Sequence, residues 1–355
     1  MIVKDEKEVI RQSLKSVKPF IDYWVIVDTG STDGTQEIIE DFLKDIPGEL
    51  HEQPWVNFGH NRNEALKLAK GKADYVLFID ADEILEGTFD KDALKKDCHL
   101  IVTRTSSDPL LTFQKAFLIN GHQDWVWSGV LHEKLTCSKP EINAEVLSGT
   151  VLSAESRDGN RSKDPTKYLK DAHVLEKALL EDPDNADYVF YLAQSYFNAE
   201  EYKLALKNYE KRANMDGWDQ HTFWAKYSVG CLQEMLDMAP ELIIQSYSEA
   251  YQYRPIRAEP LWRLGQYFYK QKNFLLGYLV ADHGLSIQLP DDYVYVEPSI
   301  YDWSMLALKA NCALEIKKYK EAAEIYEKLE TRLDLKDETR KQAKESAIWA
   351  RSQLK

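Results

Sequence analysis

The run Val76-Leu-Phe-Ile-Asp-Ala-Asp-Glu83 constrains this chain more than any other stretch. Four apolar residues without polar alternation predict a strand buried on both faces, of the kind found inside α/β sheets. Asp80, Asp82 and Glu83 follow at its C-terminal end, where open α/β sheets hold their ligands. Asp80 and Asp82 lie two residues apart, so on an extended chain their carboxylates point the same way. Two hard oxygen ligands on one side suit Mg²⁺ or Mn²⁺ carrying a diphosphate. The plain alternative is a solvated acidic turn after a core strand, because an isolated D-x-D is a short motif.

The residues around this run alternate between strand and helix patterns. Met1-Ile-Val3 is a short apolar start, followed by Lys4-Asp5-Glu6. Val9, Ile10, Leu14 and Val17 have helical spacing. Tyr23-Trp-Val-Ile-Val27 predicts a second strand, which ends in Asp28. Thr29 to Gly34 reads as a tight turn, and Thr35 to Leu43 as a helix that Thr32 or Asp33 could cap. Leu50 to Pro54 predicts an edge strand, Asn61 to Ala69 a helix and Tyr75 to Ile79 a strand. This β-α-β-α-β-α-β order implies a largely parallel sheet. Leu100 to Arg104 and Leu111 to Ile119 read as further strands, with Asn120-Gly121 as a turn. Asp124-Trp-Val-Trp-Ser-Gly-Val-Leu-His-Glu133 then places Trp125 and Trp127 on one face of a strand, a flat apolar surface for a sugar ring.

Composition narrows the function. A net charge of −14 over 355 residues argues against a nucleic-acid binder, which would show a basic face. The four cysteines, Cys98, Cys137, Cys231 and Cys312, form no C-x-x-C pair, which fits free thiols in a reducing compartment. No apolar run approaches the length of a membrane span, and no signal peptide is visible. These features predict a cytoplasmic protein without a membrane span and argue against synthases that export their product through their own helices.

Four stretches together resemble the family 2 glycosyltransferases of GT-A fold. They are Met1-Ile-Val-Lys-Asp-Glu6, Val25-Ile-Val-Asp-Thr-Gly-Ser-Thr-Asp-Gly-Thr35, Arg62-Asn63-Glu-Ala and Ile79-Asp-Ala-Asp-Glu83. Their order and helix-length spacings are more specific than any one of them. The resemblance covers residues 1 to 155. It departs from the family where the first strand begins almost at Met1, and where Asp28-Thr29 stands in place of two acids. It implies that Asp28 contacts the nucleotide of a sugar donor, with Asp5 and Glu6 as weaker contacts from the first strand. Arg62, early in its helix, would take a phosphate or base edge. Asp80 would reach the ribose or a metal-bound water, and Asp82 would ligate the metal. The Trp127-Ser-Gly-Val-Leu-His-Glu133 stretch resembles the acceptor side of a subset of these enzymes, where the catalytic acid and a further metal ligand are found. Each residue also has a structural reading: a turn cap for Asp28, a surface ion pair for Arg62, a core strand for the tryptophans.

The second half is different. Ser156 to Pro165 is a polar, Gly- and Pro-bearing stretch and the expected linker, dividing a domain of residues 1–156 from one of residues 157–355. Its Arg157, Arg161 and Lys163 read as a solvated basic loop or as a lid over a diphosphate. From Tyr168 on, helix follows helix. Leu192 to Glu210 and Leu306 to Glu327 carry the same helix–turn–helix phrase, with a looser copy from Leu264 to Ala281. Small residues beside tyrosines at about this period resemble tetratricopeptide (TPR) repeats, interrupted between Pro290 and Pro298. Every tyrosine here reads first as core packing. Such repeats imply a groove for a protein partner.

The expected protein is therefore a GT-A domain followed by an all-α TPR-like domain: a metal-dependent, inverting glycosyltransferase. It would use Mn²⁺ or Mg²⁺ and a nucleotide-sugar donor, most simply a UDP-sugar. The acceptor would be a glycan, a lipid-linked saccharide or a protein. The base that deprotonates the acceptor hydroxyl or thiol is expected at Glu133 or Asp124. Glu133 is favoured because Gly129 lets substrate approach closely. His132 would be a third metal ligand or a diphosphate contact. Glu83 is set aside because a continuing strand would turn it to the other face. One rival, a nucleotidyltransferase, needs a basic Gly-rich first loop, which Lys4-Asp-Glu is not. The other is a TPR interaction protein with an inactive, nucleotide-sugar-binding GT-A domain, against which the intact Asp80, Asp82, His132 and Glu133 argue.

Overall fold

The computed structural model describes residues 1–105, 112–139, 141–154 and 159–354. Its contacts divide the chain into two compact units, Met1–Glu200 and Glu201–Lys355. The division falls later than the change in composition at residue 156, because the first helical hairpin groups with the sheets.

In the first unit, β1 (Ile2–Val3), β2 (Trp24–Asp28) and β3 (Gly48–Glu52) form a parallel sheet in the order β1-β2-β3. Two right-length connections make this possible: α1 (Ile10–Val17) and α2 (Thr35–Leu43). The buried positions of α1 are Ile10, Ser13, Leu14 and Val17, the i, i+3, i+4, i+7 stripe of a one-sided helix. Helix α3 (Phe58–Ala69) follows β3, and Asn57 caps it by accepting from His60 N–H at 2.8 Å.

Parallel pairing then gives way to a mixed sheet. Strands β4 (Tyr75–Leu77), β5 (Ile84–Gly87), β6 (Cys98–Thr105), β7 (Thr112–Asn120) and β10 (Ala144–Ala154) pair in the order β4-β7-β6-β10-β5. Among the described residues only β6 and β10 run parallel within it. Strands β8 (Trp125–Ser128) and β9 (Lys134–Cys137) form a separate ribbon. β4 is shorter than the apolar run predicts. It ends at Leu77, and Phe78 N–H still reaches Phe117 O at 2.8 Å. A cavity of about 490 Å³ lies beside it, lined among others by Val25, Ile26, Leu66, Val76, Phe78 and Arg62.

The unit closes with α4 (Lys167–Glu181) and α5 (Ala186–Asn198), an antiparallel hairpin around Leu175, Val189 and Phe190.

The second unit is a series of helical hairpins of TPR-like form. Its helices are α6 (Tyr202–Ala213), α7 (Asp219–Met235), α8 (Pro240–Tyr253), α9 (Glu259–Lys270), α10 (Phe274–Gly284), α11 (Met305–Glu315), α12 (Tyr319–Glu330) and α13 (Asp337–Ser352). The turns repeat in detail. Asp237, Lys272 and Lys317 each take a left-handed backbone after a helix. The next N–H then bonds back to the helix, Met238 to Gln233 O, Asn273 to Phe268 O and Lys318 to Ala313 O. That is the Schellman closure of a helix end, made here by charged residues where glycine is the usual choice. Small residues set the helix spacing: a Cβ on Gly277 would lie 2.9 Å from Cys312 Sγ, which glycine alone avoids. No helix among the described residues is long and apolar enough to cross a membrane.

Candidate functional site

The chain does not stay extended through Asp80-Ala-Asp-Glu83. Glu83 N–H bonds to Asp80 O at 3.1 Å, and Glu83 Oε2 accepts from Asp80 N–H at 2.9 Å. The acids therefore sit on a tight turn, and the expected alternation of a continuing strand does not apply. α1 holds this turn from beneath. Ser13 Oγ–H donates to Asp80 O at 3.0 Å, and Ser16 Oγ accepts from Leu85 N–H at 3.0 Å. Glu83, set aside on the extended-chain argument, is thus folded back into the cluster.

Arg62 is the hub. Its Nη2 donates to Asp80 Oδ1 at 2.8 Å and its Nε to Glu133 Oε1. Its guanidinium lies 5.2 Å from the Trp127 ring centroid. Burial works against the charge, but the Asp80 and Glu133 carboxylates outweigh it and hold the guanidinium pKa above its ordinary value. Lys115, from β7, pairs with Glu83 and stands 4.0 Å from Asp80. Against the cost of burial, Arg62 and Lys115 pull the Asp80 carboxyl down to about 2. Asp82 goes the other way: burial, and then the neighbouring Asp80, push it up. Glu83 is also raised, chiefly by burial.

The ribbon brings Glu133 to this cluster through two close approaches. A Cβ on Gly59 of α3 would lie 2.2 Å from Gly129 O, so only glycine lets helix and loop meet there. Asn63, one residue past Arg62, donates to Trp127 O at 2.7 Å and accepts from Trp127 N–H at 2.8 Å. Next, Gly129 (φ +113°) and His132 (φ +52°) bend the chain so that Glu133 turns to Arg62. The His132 ring stacks on Tyr191, with centroids 3.9 Å apart. From the linker, Gly159 packs on Asp82: a Cβ there would sit 2.8 Å from Asp82 Oδ2.

The remaining expectations divide. Asp28 is fully buried. Its Oδ1 accepts from Gly30 and Ser31 N–H at 2.8 and 2.7 Å, while its Oδ2 is buried without a hydrogen-bond partner. Turn capping therefore uses one oxygen and leaves the other for a ligand donor. Asp5 Oδ1 accepts from Thr32 N–H, and the Asp5 and Glu6 amides donate to Ser31 Oγ and Thr35 Oγ1. Both residues thus brace the loop after β1 against the loop after β2. Asp33, one of the two expected caps, accepts from Thr35 N–H at 3.0 Å.

Two expectations need correction. Trp125 is buried in a core cluster with Cys98 and Ile119, and its Nε1–H is spent on Asn120 O. Trp127, half-buried, shares its inward face and meets Phe78 edge-on, so Trp125 is core packing and Trp127 is partly covered. The alternation rule placed them correctly on one face, but that face is the covered one. Asp124 lies on the surface, 72% exposed and paired with Lys70 at 2.6 Å, outside the Arg62 cluster. In the linker, Arg161 pairs with Asp171 and lies over the Phe58 ring, while Lys163 is exposed. Arg157 lies outside the described residues.

Residues 1–99 match the family model described as glycosyl transferase family 2. This segment is a family 2 glycosyltransferase domain. Among curated proteins, the chain is 30% identical over 119 residues to an uncharacterized glycosyltransferase of Rickettsia prowazekii, covering 34% of this chain and 37% of that protein. It is 38% identical over 86 residues to a TPR repeat-containing protein of Synechococcus elongatus, covering 24% of this chain and 20% of that protein. The chain thus spans well under half the length of these curated relatives. Among solved structures, the C-terminal part of a TPR repeat-containing protein of Cytophaga hutchinsonii is similar at 17% identity, with a TM-score of 0.40, over 53% of this chain and 75% of that one. The family 2 match ends before Lys115, Glu133 and Tyr191; Lys115 and Tyr191 come from geometry alone, whereas Glu133 is also expected from the sequence.

Proposed function

We propose that the protein is a metal-dependent, inverting glycosyltransferase that takes its sugar from a nucleotide-sugar, most simply a UDP-sugar. The observation that carries this reading is the Arg62 cluster. One half-buried guanidinium bridges Asp80 of the acidic turn, inside the family 2 match, and Glu133 of the ribbon beyond it. Asp28 Oδ2 supplies a buried acceptor for a base or ribose hydrogen.

The donor set fits a hard divalent cation. Burial, and then the neighbouring Asp80, raise the Asp82 carboxyl, and a cation would favour its charged form against both. Among the described residues no three acidic, His or Cys side chains are gathered around one point. Mg²⁺ and Mn²⁺ often bind through one or two carboxylates and complete their shell with substrate phosphates, so Asp82 and Asp80 suffice; His132, stacked on Tyr191, is not gathered with them as the expected third ligand. A cation bound there would supply positive charge to the diphosphate oxygens. Arg62 would add to it, trading one carboxylate for a phosphate oxygen as the donor enters. Glu133 would accept the proton of the acceptor hydroxyl or thiol, directly behind the anomeric carbon, as inversion requires.

A cytoplasmic setting goes with this reading, supported by four free cysteines. The acceptor is a glycan, a lipid-linked saccharide or a protein, and the TPR-like unit would serve a protein partner. The deciding experiment is hydrolysis of a panel of nucleotide-sugars with and without Mn²⁺, since transferases commonly hydrolyse their donor slowly. Mn²⁺-dependent loss of one UDP-sugar is expected. No turnover and no UDP binding by the full chain would refute the reading.

A further inference from the structure

The turn that presents Glu133 rests on a helix that the sequence assigns to the repeats. His132 and Lys134 flank Glu133, and both are held by α5. The His132 ring lies flat on Tyr191, 3.9 Å between centroids and 13° between planes. Lys134 Nζ pairs with Asp187, one helical turn earlier on the same face of α5. His132 also carries a left-handed backbone, φ +52°. Outside the helix ends, such a conformation in a residue with a side chain persists only where its surroundings over-determine it. Here the surroundings are Gly129 pressed on Gly59 at one side and the α5 contacts at the other.

The geometry points to Tyr191 as a positioning residue for Glu133. It fixes the strained His132 turn so that the next carboxylate faces Arg62, and it makes the α4–α5 hairpin part of the catalytic unit. The inference rests on reading Glu133 as the acceptor-side base. Tyr191 touches neither donor nor acceptor in this account. Its effect is carried by orientation, and a displacement of about 1 Å at a reacting group costs up to about a hundredfold in rate.

The test uses the full chain and two readouts. The first is the NMR signal of Arg62 Nε–H, which reports its bond to Glu133 whether or not the enzyme turns over. The second is donor hydrolysis or transfer. Tyr191→Leu keeps apolar bulk on α5 but removes the flat ring. It should lose the shifted Arg62 signal and lower kcat by about ten- to a hundredfold, with UDP affinity unchanged. Tyr191→Phe should retain both. Lys134→Met, at an exposed position that leaves the core alone, should show the same pattern in weaker form, several-fold in kcat. Wild-type Arg62 signal and kcat in both Tyr191→Leu and Lys134→Met would overturn the inference. If wild type hydrolyses no nucleotide-sugar, the functional reading fails by itself, and the Arg62 signal still decides whether Tyr191 positions Glu133.

Discussion

Two charge networks in this protein look alike and differ in burial and balance. In the second unit, Arg257 is fully buried between Glu259 and Asp292, which are 0% and 4% exposed. Its remaining donors reach Val294 O and Tyr295 O, while Tyr301 O–H and Glu297 N–H complete Glu259. Every strong group there has a protein partner. In the first unit, Asp80, Asp82, Glu83 and Glu133 gather, among the described residues, around Arg62 and Lys115, with the Met1 amino group acting on Asp80 and Lys167 on Asp82 from further off. Negative charge is left over, Asp82 is raised, and Asp28 keeps a bare oxygen. A balanced network holds helices together; an unbalanced one at the end of a strand is shaped for something that brings positive charge and hydrogen-bond donors.

The comparison breaks most sharply at Glu133. Glutamine keeps an oxygen for Arg62 but cannot take a proton. Glu133→Gln should therefore cut transfer by about two to four orders of magnitude at nearly constant donor affinity. Asp124→Asn, at an exposed residue paired with Lys70, should transfer at close to the wild-type rate. Near-normal transfer by Glu133→Gln together with an inactive Asp124→Asn would hand the role back to Asp124. At Arg257 the effect should fall on stability. Arg257→Met strands Glu259 in the interior, while Asp292 keeps Arg254, and should cost about 3–5 kcal/mol of unfolding free energy in a denaturant titration. UDP affinity, measured while the variant is still folded, should not change.

How much of this was legible beforehand follows the range of the forces involved. The β1-α1-β2-α2-β3 order, the helical second half and the Asp28, Arg62 and Asp80 positions are written in local periodicity and short motifs. The antiparallel pairing of β4 with β7 is not, because strand neighbours hundreds of atoms apart leave no local signal. Lys115 was missed for the same reason: one lysine in an alternating strand is unremarkable until β7 lies beside the acidic turn. Trp125 and Trp127 were placed on the right face, but which side of a ribbon is covered depends on α3, and the pattern cannot supply that. Glu83 was misplaced because strand periodicity was carried past the point where the chain turns. Tyr191 sat among tyrosines that pack helices together, and only its stack on His132 separates it from them.

A smaller effect tests the metal directly. If Asp82 ligates the cation, Asp82→Asn should bind UDP as wild type does without Mn²⁺ and lose only the Mn²⁺-dependent gain. Isothermal titration with and without the metal reads this. Equal UDP affinity of the two proteins in Mn²⁺ would remove Asp82 from the metal shell and would weaken the argument that the first network is open by design.

The smallest effect concerns stability and its sign. Burial and Asp80 raise the folded-state pKa of Asp82 above its unfolded value. Below the unfolded carboxylate pKa, near 3.9, the group is protonated in both states and costs nothing. As pH rises through the folded-state pKa, the unfolded chain gains more by ionising, and the folded state loses stability. Asp82→Asn removes that loss. The variant should therefore melt above wild type at pH 7 without divalent ions, and the gap should shrink as the pH falls toward 4. Mn²⁺ with UDP should reverse the order, because wild type alone then gains a ligand that the folded state binds and the unfolded state does not. A constant gap from pH 4 to pH 7 would show that the substitution acts through packing against Gly159, and that Asp82 carries no unrelieved charge.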